Sequence, residues 1–129
     1  MTELKALARS YLDMVATGRF DVWPEIVDDE FVLRLPYAPP GVPEELCGLA
    51  ARDALVSGRA GQERFEWLDV VITATENPEL LVITARSEVA LKSGGTYANR
   101  YVMLTRARGG KLVEHVEYFN PLPVMEIAG

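Results

Sequence analysis

The 129-residue sequence predicts an α+β domain in which three N-terminal helices pack on one face of a curved antiparallel sheet. Two observations carry that expectation. Apolar residues at helical spacing are confined to roughly the first sixty positions, and after Gly61 the apolar period changes to two and stays there. The later strand-like runs are separated by Asn77-Pro78, Ser93-Gly94-Gly95 and Gly109-Gly110, the turn residues of an antiparallel meander.

The first helix is read from Leu4, Leu7, Ala8, Tyr11, Leu12 and Val15, which fall on one face. Thr2 suits its cap and Gly18 its end. Tyr11 lies on the apolar stripe, so its hydroxyl needs a partner or a polar cavity. Asp21 opens a second, short helix over 22–27, where Pro24 is tolerated in the first turn and Asp28-Asp29 are expected as a stop.

Positions 30–35 alternate like a strand and run into 36–43, whose four prolines forbid regular pairing. Cys47 is expected in a Pro/Gly-bounded loop. A third helix fits 49–56, closed by Gly58 and Gly61. Strands are then expected over 65–75, 80–91, 96–105 and 111–120.

A chain of this length has room for one domain, 1–129, with a substantial core. A formal net charge of −6, with scattered arginines, argues against a nucleic-acid or anionic-membrane partner. One cysteine excludes an intrachain disulfide, and one histidine with one cysteine cannot build the usual structural zinc sets. No apolar run approaches a membrane span and the N-terminus lacks a signal-peptide core, so the expectation is a cytoplasmic protein.

The last strand holds the lone histidine. Side chains alternate along a strand, so His115, Glu117 and Phe119 share one face, while Leu112, Glu114, Val116 and Tyr118 share the other. A titratable pair between apolar neighbours is the pattern of a strand lining a cavity. His115-Val116-Glu117 also matches the H-x-E of zinc deaminases, but no Pro-Cys-x-x-Cys follows.

Several short strings carry a family resemblance. Tyr11 with Gly18-Arg19-Phe20 and Asp28-Asp29, the run Pro36-Tyr37-Ala38-Pro39-Pro40-Gly41, Gly48, Tyr97-Ala98-Asn99-Arg100-Tyr101 and Glu117-Tyr118-Phe119-Asn120-Pro121 all contribute. With them the chain resembles the SnoaL-like and PhzA/PhzB-like proteins of the nuclear-transport-factor-like superfamily, which includes the ketosteroid isomerases.

That resemblance implies a cystatin-like cone with a cavity between sheet and first helix, a homodimer through the outer sheet face, and no organic cofactor. It also implies that Asn99, Tyr101 and Met103 face inward beside His115, Glu117 and Phe119. Glu117 stands where PhzA/PhzB-like proteins carry an acid/base glutamate. Their histidine after the third helix is replaced here by Ser57, Gly58 or Arg59. Tyr11 matches the oxyanion-hole tyrosine of the ketosteroid isomerases, whose two carboxylates fall at Leu35 and near Asn99. Steroid isomerisation by that route is therefore not expected.

A carboxyl group facing an apolar cavity loses hydration, and one poised there can both take and give protons. The expected catalytic pair is Glu117, shuttling the proton, and His115, assisting; the bland alternative is that the two satisfy each other in the pocket floor. Tyr11 and Asn99 would polarise a substrate oxygen, and Tyr101, Phe119, Trp67, Leu35 and Met103 would form the remaining pocket wall. Arg34, Arg86 and Arg100 could bind a carboxylate only if they point inward. The expected function is cofactor-free, metal-free acid/base catalysis of isomerase, cyclase or condensation type. Its substrate would be a small hydrophobic or aromatic metabolite bearing a carbonyl or imine; the alternative is a non-catalytic pocket protein of the same fold.

Overall fold

A computed structural model describes residues 2–128, with side chains for 3–127. Helix α1 (Thr2–Thr17) buries Leu4, Ala8, Tyr11 and Leu12 along one stripe. It ends where Gly18, at φ +78°, donates its N–H to the Met14 carbonyl at 2.9 Å. The expected Thr2 cap lies outside the described side chains. After a 3-10 turn at Phe20–Val22, the four-residue α2 (Trp23–Ile26) places Pro24 in its first turn.

Strand β1 (Val27–Arg34) begins earlier than expected. Helix α2 does end ahead of Asp28 and Asp29, but the two acids lie in an irregular opening of β1, where Asp28 Oδ1 accepts the Glu30 N–H at 2.9 Å. A short acid can satisfy its own backbone and remain inside a bulged strand. Cys47 is likewise not in a loop, but ends the edge strand β2 (Glu45–Cys47).

Helix α3 (Gly48–Ala60) runs past Gly58, which costs a helix interior only about 1 kcal/mol. Gly61 is its cap.

The long strands are β3 (Gln62–Ala74), β4 (Leu80–Leu91), β5 (Thr96–Arg108) and β6 (Lys111–Phe119). The sheet order is β2-β1-β6-β5-β4-β3, antiparallel except that β1 runs parallel to β6. A final helix, α4 (Pro121–Ala128), was not expected. Its signal was present in Asn120-Pro121, since Asn120 Oδ1 accepts the Leu122 N–H at 3.1 Å, with proline just inside the helix.

Alternation along the strands separates the two sheet faces. Leu81, Ile83, Ala85, Ser87 and Val89 of β4, with Asn99, Tyr101, Met103, Thr105 and Ala107 of β5, form the inner face. The helices α1 and α3 cover it, so the core lies between them and the concave side of the sheet. No described helix is long and apolar enough to cross a membrane.

One expectation of parity fails in β6. Leu112 is fully buried, on the same side as His115, instead of sharing the outer face with Glu114. The register shifts between the pairs Arg106↔Glu114 and Ala107↔Leu112, so one extra β6 residue bulges there and reverses the alternation beyond it.

Candidate functional site

The inner face of β6 and the buried stripe of α1 meet over a cavity of about 190 Å³. Its wall is mostly hydrocarbon, from Leu12, Val15, Leu33, Leu35, Leu55, Phe65 and Trp67. Helix α1 is tied over this hollow by Trp67, whose indole Nε1–H donates to the Leu12 carbonyl at 2.8 Å.

The sequence-predicted pair is brought together there. His115 is 2% exposed, and its Nε2 lies 3.6 Å from Glu117 Oε1, an ion-pair distance when the imidazole is protonated. His115 Nδ1 lies 3.0 Å from the Thr105 hydroxyl. A hydroxyl can donate or accept, so this partner accommodates either imidazole tautomer. The ring stacks on Tyr11 at a centroid distance of 4.7 Å and 21°. Glu117 is part-exposed, and it is the one carboxylate among the described residues lining the cavity.

Three phenols surround that carboxylate. Burial raises the Tyr11 pKa above its ordinary value, and the nearby Glu117 charge raises it further. Tyr101 is raised first by burial and then by Tyr97 and Glu117, and Tyr97 is raised chiefly by burial. Tyr97, which sequence reasoning missed as a pocket residue, accepts a hydrogen bond from Asn99 Nδ2 at 2.7 Å, and the Tyr101 hydroxyl lies 2.9 Å from Ser87 Oγ. All three phenols are thus held as neutral donors at ordinary pH.

The sign of the resulting stability effect is fixed. An unfolded tyrosine titrates near 10, and Tyr11 and Tyr101 titrate higher in the folded chain. Their contribution is complete below about pH 10 and is lost as pH rises, by about 1.4 kcal/mol per tyrosine per pH unit. Urea midpoints measured between pH 9 and 11 should fall steeply; a flat profile would contradict the burial of these phenols.

The remaining predicted site residues divide. Trp67, Leu35 and Tyr101 line the cavity, whereas Met103 is fully buried core and Phe119 packs against the core without reaching the hollow. Asn99 is inward but committed elsewhere. Its Nδ2 donates to the Tyr97 hydroxyl at 2.7 Å and the Asn120 carbonyl at 2.8 Å, while Oδ1 accepts the N–H groups of Arg100 and Asn120 at 2.8 and 2.9 Å. All four of its hydrogen-bonding positions are occupied, so it clips β5 to the end of β6 instead of reaching into the cavity.

Arg34 pairs with Glu114 and Glu45, Arg86 with Asp69 and Glu88, and Arg100 is exposed, so none of the three lines the hollow. Arg59 does line it, with Gln62 beside it. Among the described residues, no cluster of three or more His, Cys, Asp or Glu is placed to hold a metal ion.

Comparison with known proteins agrees with this architecture. Residues 8–115 match the SnoaL-like domain family. An uncharacterized PhzA/B-like protein of Pseudomonas aeruginosa is 29% identical over 92% of this chain and 84% of its own length. A solved structure of a putative isomerase from Bacillus subtilis is similar at a TM-score of 0.87 and 21% identity, covering 97% of this chain and 91% of its own. A putative polyketide cyclase from Xanthomonas campestris matches at a TM-score of 0.80 and 15% identity, over 99% and 98% of the two chains. At those identities the solved structures speak for the fold. With the family match spanning most of its length, the chain belongs to the SnoaL-like domain family.

Proposed function

We propose that the chain is a cofactor-free acid/base enzyme that moves a proton on a carbon beside a carbonyl or imine, in an isomerisation, cyclisation or condensation. The observation that carries this reading is the placement of Glu117 in a mostly apolar cavity, beside His115, with Tyr11 stacked on the His115 ring and lining the same wall. Glu117 would take the proton from carbon and return it elsewhere on the product. Tyr11, kept neutral by burial, would donate to the substrate oxygen as negative charge develops there. His115 is positioned to hold the partner proton, because its far nitrogen is seated on Thr105.

The cavity volume favours a small substrate. An apolar cavity of roughly 150 Å³ holds one benzene ring, so about 190 Å³ suits a single ring with a short substituent. The names of the solved relatives, a putative isomerase and a putative polyketide cyclase, support the class of chemistry without fixing the reaction.

The test is solvent deuterium incorporation into a panel of single-ring ketones and keto acids, followed by NMR. Exchange above the buffer rate supports the enzyme. If compounds bind by thermal shift yet none exchanges, the same hollow is a binding pocket and the enzyme reading falls.

The outer sheet face would carry a second copy of the chain. The paired positions Val71, Thr84, Val102 and Tyr118 form a row across it, with Val71 and Val102 exposed. Sedimentation should show a dimer that Val102→Glu weakens; a monomer at micromolar concentration would overturn this.

A further inference from the structure

We infer that Gly58 decides which substrates fit: with Ala54 it forms the doorway of the cavity on α3, and its bare Cα leaves room for an apolar tail running from the bound ring out to solvent. The inference deepens the proposed function and rests on it only for the ketone at the reacting end. Its own evidence lies on α3, away from Glu117, His115 and Tyr11.

The cavity wall grades from buried to open. Tyr11, Leu12, Leu33, Tyr101 and His115 are buried, whereas among the described residues lining the cavity Ala54 and Gly58 alone are exposed. They stand four apart on α3, so they are neighbours on one helix face. Leu55 and Arg59, each the next residue along, line the hollow part-buried. The helix thus turns one ridge into the cavity and the adjacent ridge toward water, and the hollow opens there.

Gly58 has no structural reason to lack a side chain. It is not among the positive-φ glycines and lies within α3, in a conformation that any residue adopts. A glycine there weakens the helix, because it loses more chain entropy on folding than alanine would. Packing does not demand it either, since a Cβ built on Gly58 would meet no atom within 4 Å. The space a side chain would fill is the mouth of the cavity.

The cavity volume turns that room into a substrate class. About 190 Å³ is taken up by a single ring and its carbonyl, so any longer substituent must leave the hollow. The passage is hydrocarbon, made by the Ala54 methyl, the Gly58 Cα and the Leu55 side chain. Arg59 beside it donates Nε and Nη1 to the Ala16 and Gln62 carbonyls at 2.9 and 2.8 Å. An unbranched alkyl tail suits such a passage, since it needs no hydrogen bonds and gains by leaving water. The substrate is a ring ketone with that tail at the end away from the carbonyl.

The experiment is NMR titration with acetophenone, which is ring and ketone alone, and with 4-butylacetophenone, which adds the tail. The wild type should bind the butyl ketone several-fold more tightly. Gly58→Leu is the informative variant, because a helical leucine leans back over the preceding turn and so covers Ala54. It should weaken the butyl ketone at least about tenfold, the worth of a pair of buried methylenes, and leave acetophenone unchanged. Ser57→Leu, also exposed but off the cavity wall, should change neither.

Folding is not at stake, since the leucine replaces a helical glycine in open space and should raise the thermal midpoint by a few degrees. A lowered midpoint would mean that the glycine is kept for packing, and would overturn the inference. So would a wild type that gains nothing from the butyl tail or binds neither ketone, or a leucine variant that weakens both ketones alike or neither. Deuterium exchange is read separately. The Gly58 pattern without exchange in any ketone leaves the doorway standing and removes the enzyme; exchange without that pattern does the reverse.

Discussion

Glu117→Gln should slow solvent deuterium exchange into a ketone substrate by about 10²–10⁴-fold, the range over which positioned acid/base groups act. Glutamine keeps the size of the side chain and can still hydrogen-bond, but it cannot take a proton at cellular pH. Ligand-induced thermal stabilisation should therefore survive while turnover collapses. A second readout checks that the side chain faces the phenols. The Glu117 charge helps hold the pKa values of Tyr11, Tyr97 and Tyr101 up, so its removal should lower their alkaline titration midpoints. Exchange retained within tenfold of wild type would assign the proton transfer to another group.

Phe31→Ala should cost about 3–5 kcal/mol of folding stability. Phe31 is fully buried on β1, with its ring edge-on to Trp23 at 5.5 Å and 6.1 Å from Tyr11. No neighbouring backbone can close the gap without moving α1 or α2, so most of the cavity created would remain. Against a typical total of about 5–15 kcal/mol, this is a large share. Urea unfolding should show a lower midpoint with an unchanged slope. Because Phe31 backs Tyr11, ligand affinity should fall as well. A loss below about 1 kcal/mol would mean that this aromatic cluster does not hold the helices to the sheet.

The strands were legible where hydrophobic period and turn residues agreed. The stretch 80–91 is an example, because Asn77-Pro78 and Ser93-Gly94-Gly95 bound it on both sides. The pairing of His115 with Glu117 was legible for the same reason, since no bulge lies between them.

What escaped was set by contacts distant in sequence. The bulge beside Leu112 depends on how β5 and β6 register, and no local pattern announces it. Edge strand β2 is too short to show alternation and exists because β1 offers it a partner. Asn99 has the polarity of a ligand-binding residue, yet its four bonds go to Tyr97, Arg100 and Asn120 once the end of β6 arrives beside it. Arg59, one of the residues standing where the relatives' histidine falls, lines the cavity because α3 runs on to Ala60 and the Ala16 carbonyl accepts from its Nε.

The bond from Trp67 to the Leu12 carbonyl has a consequence for kinetics. With its roof bolted to its floor, the chamber keeps its shape between visitors, so a guest need not wait for walls to assemble. Association should then be quick, single-exponential and proportional to guest concentration, and selection among guests should act through how fast each one leaves.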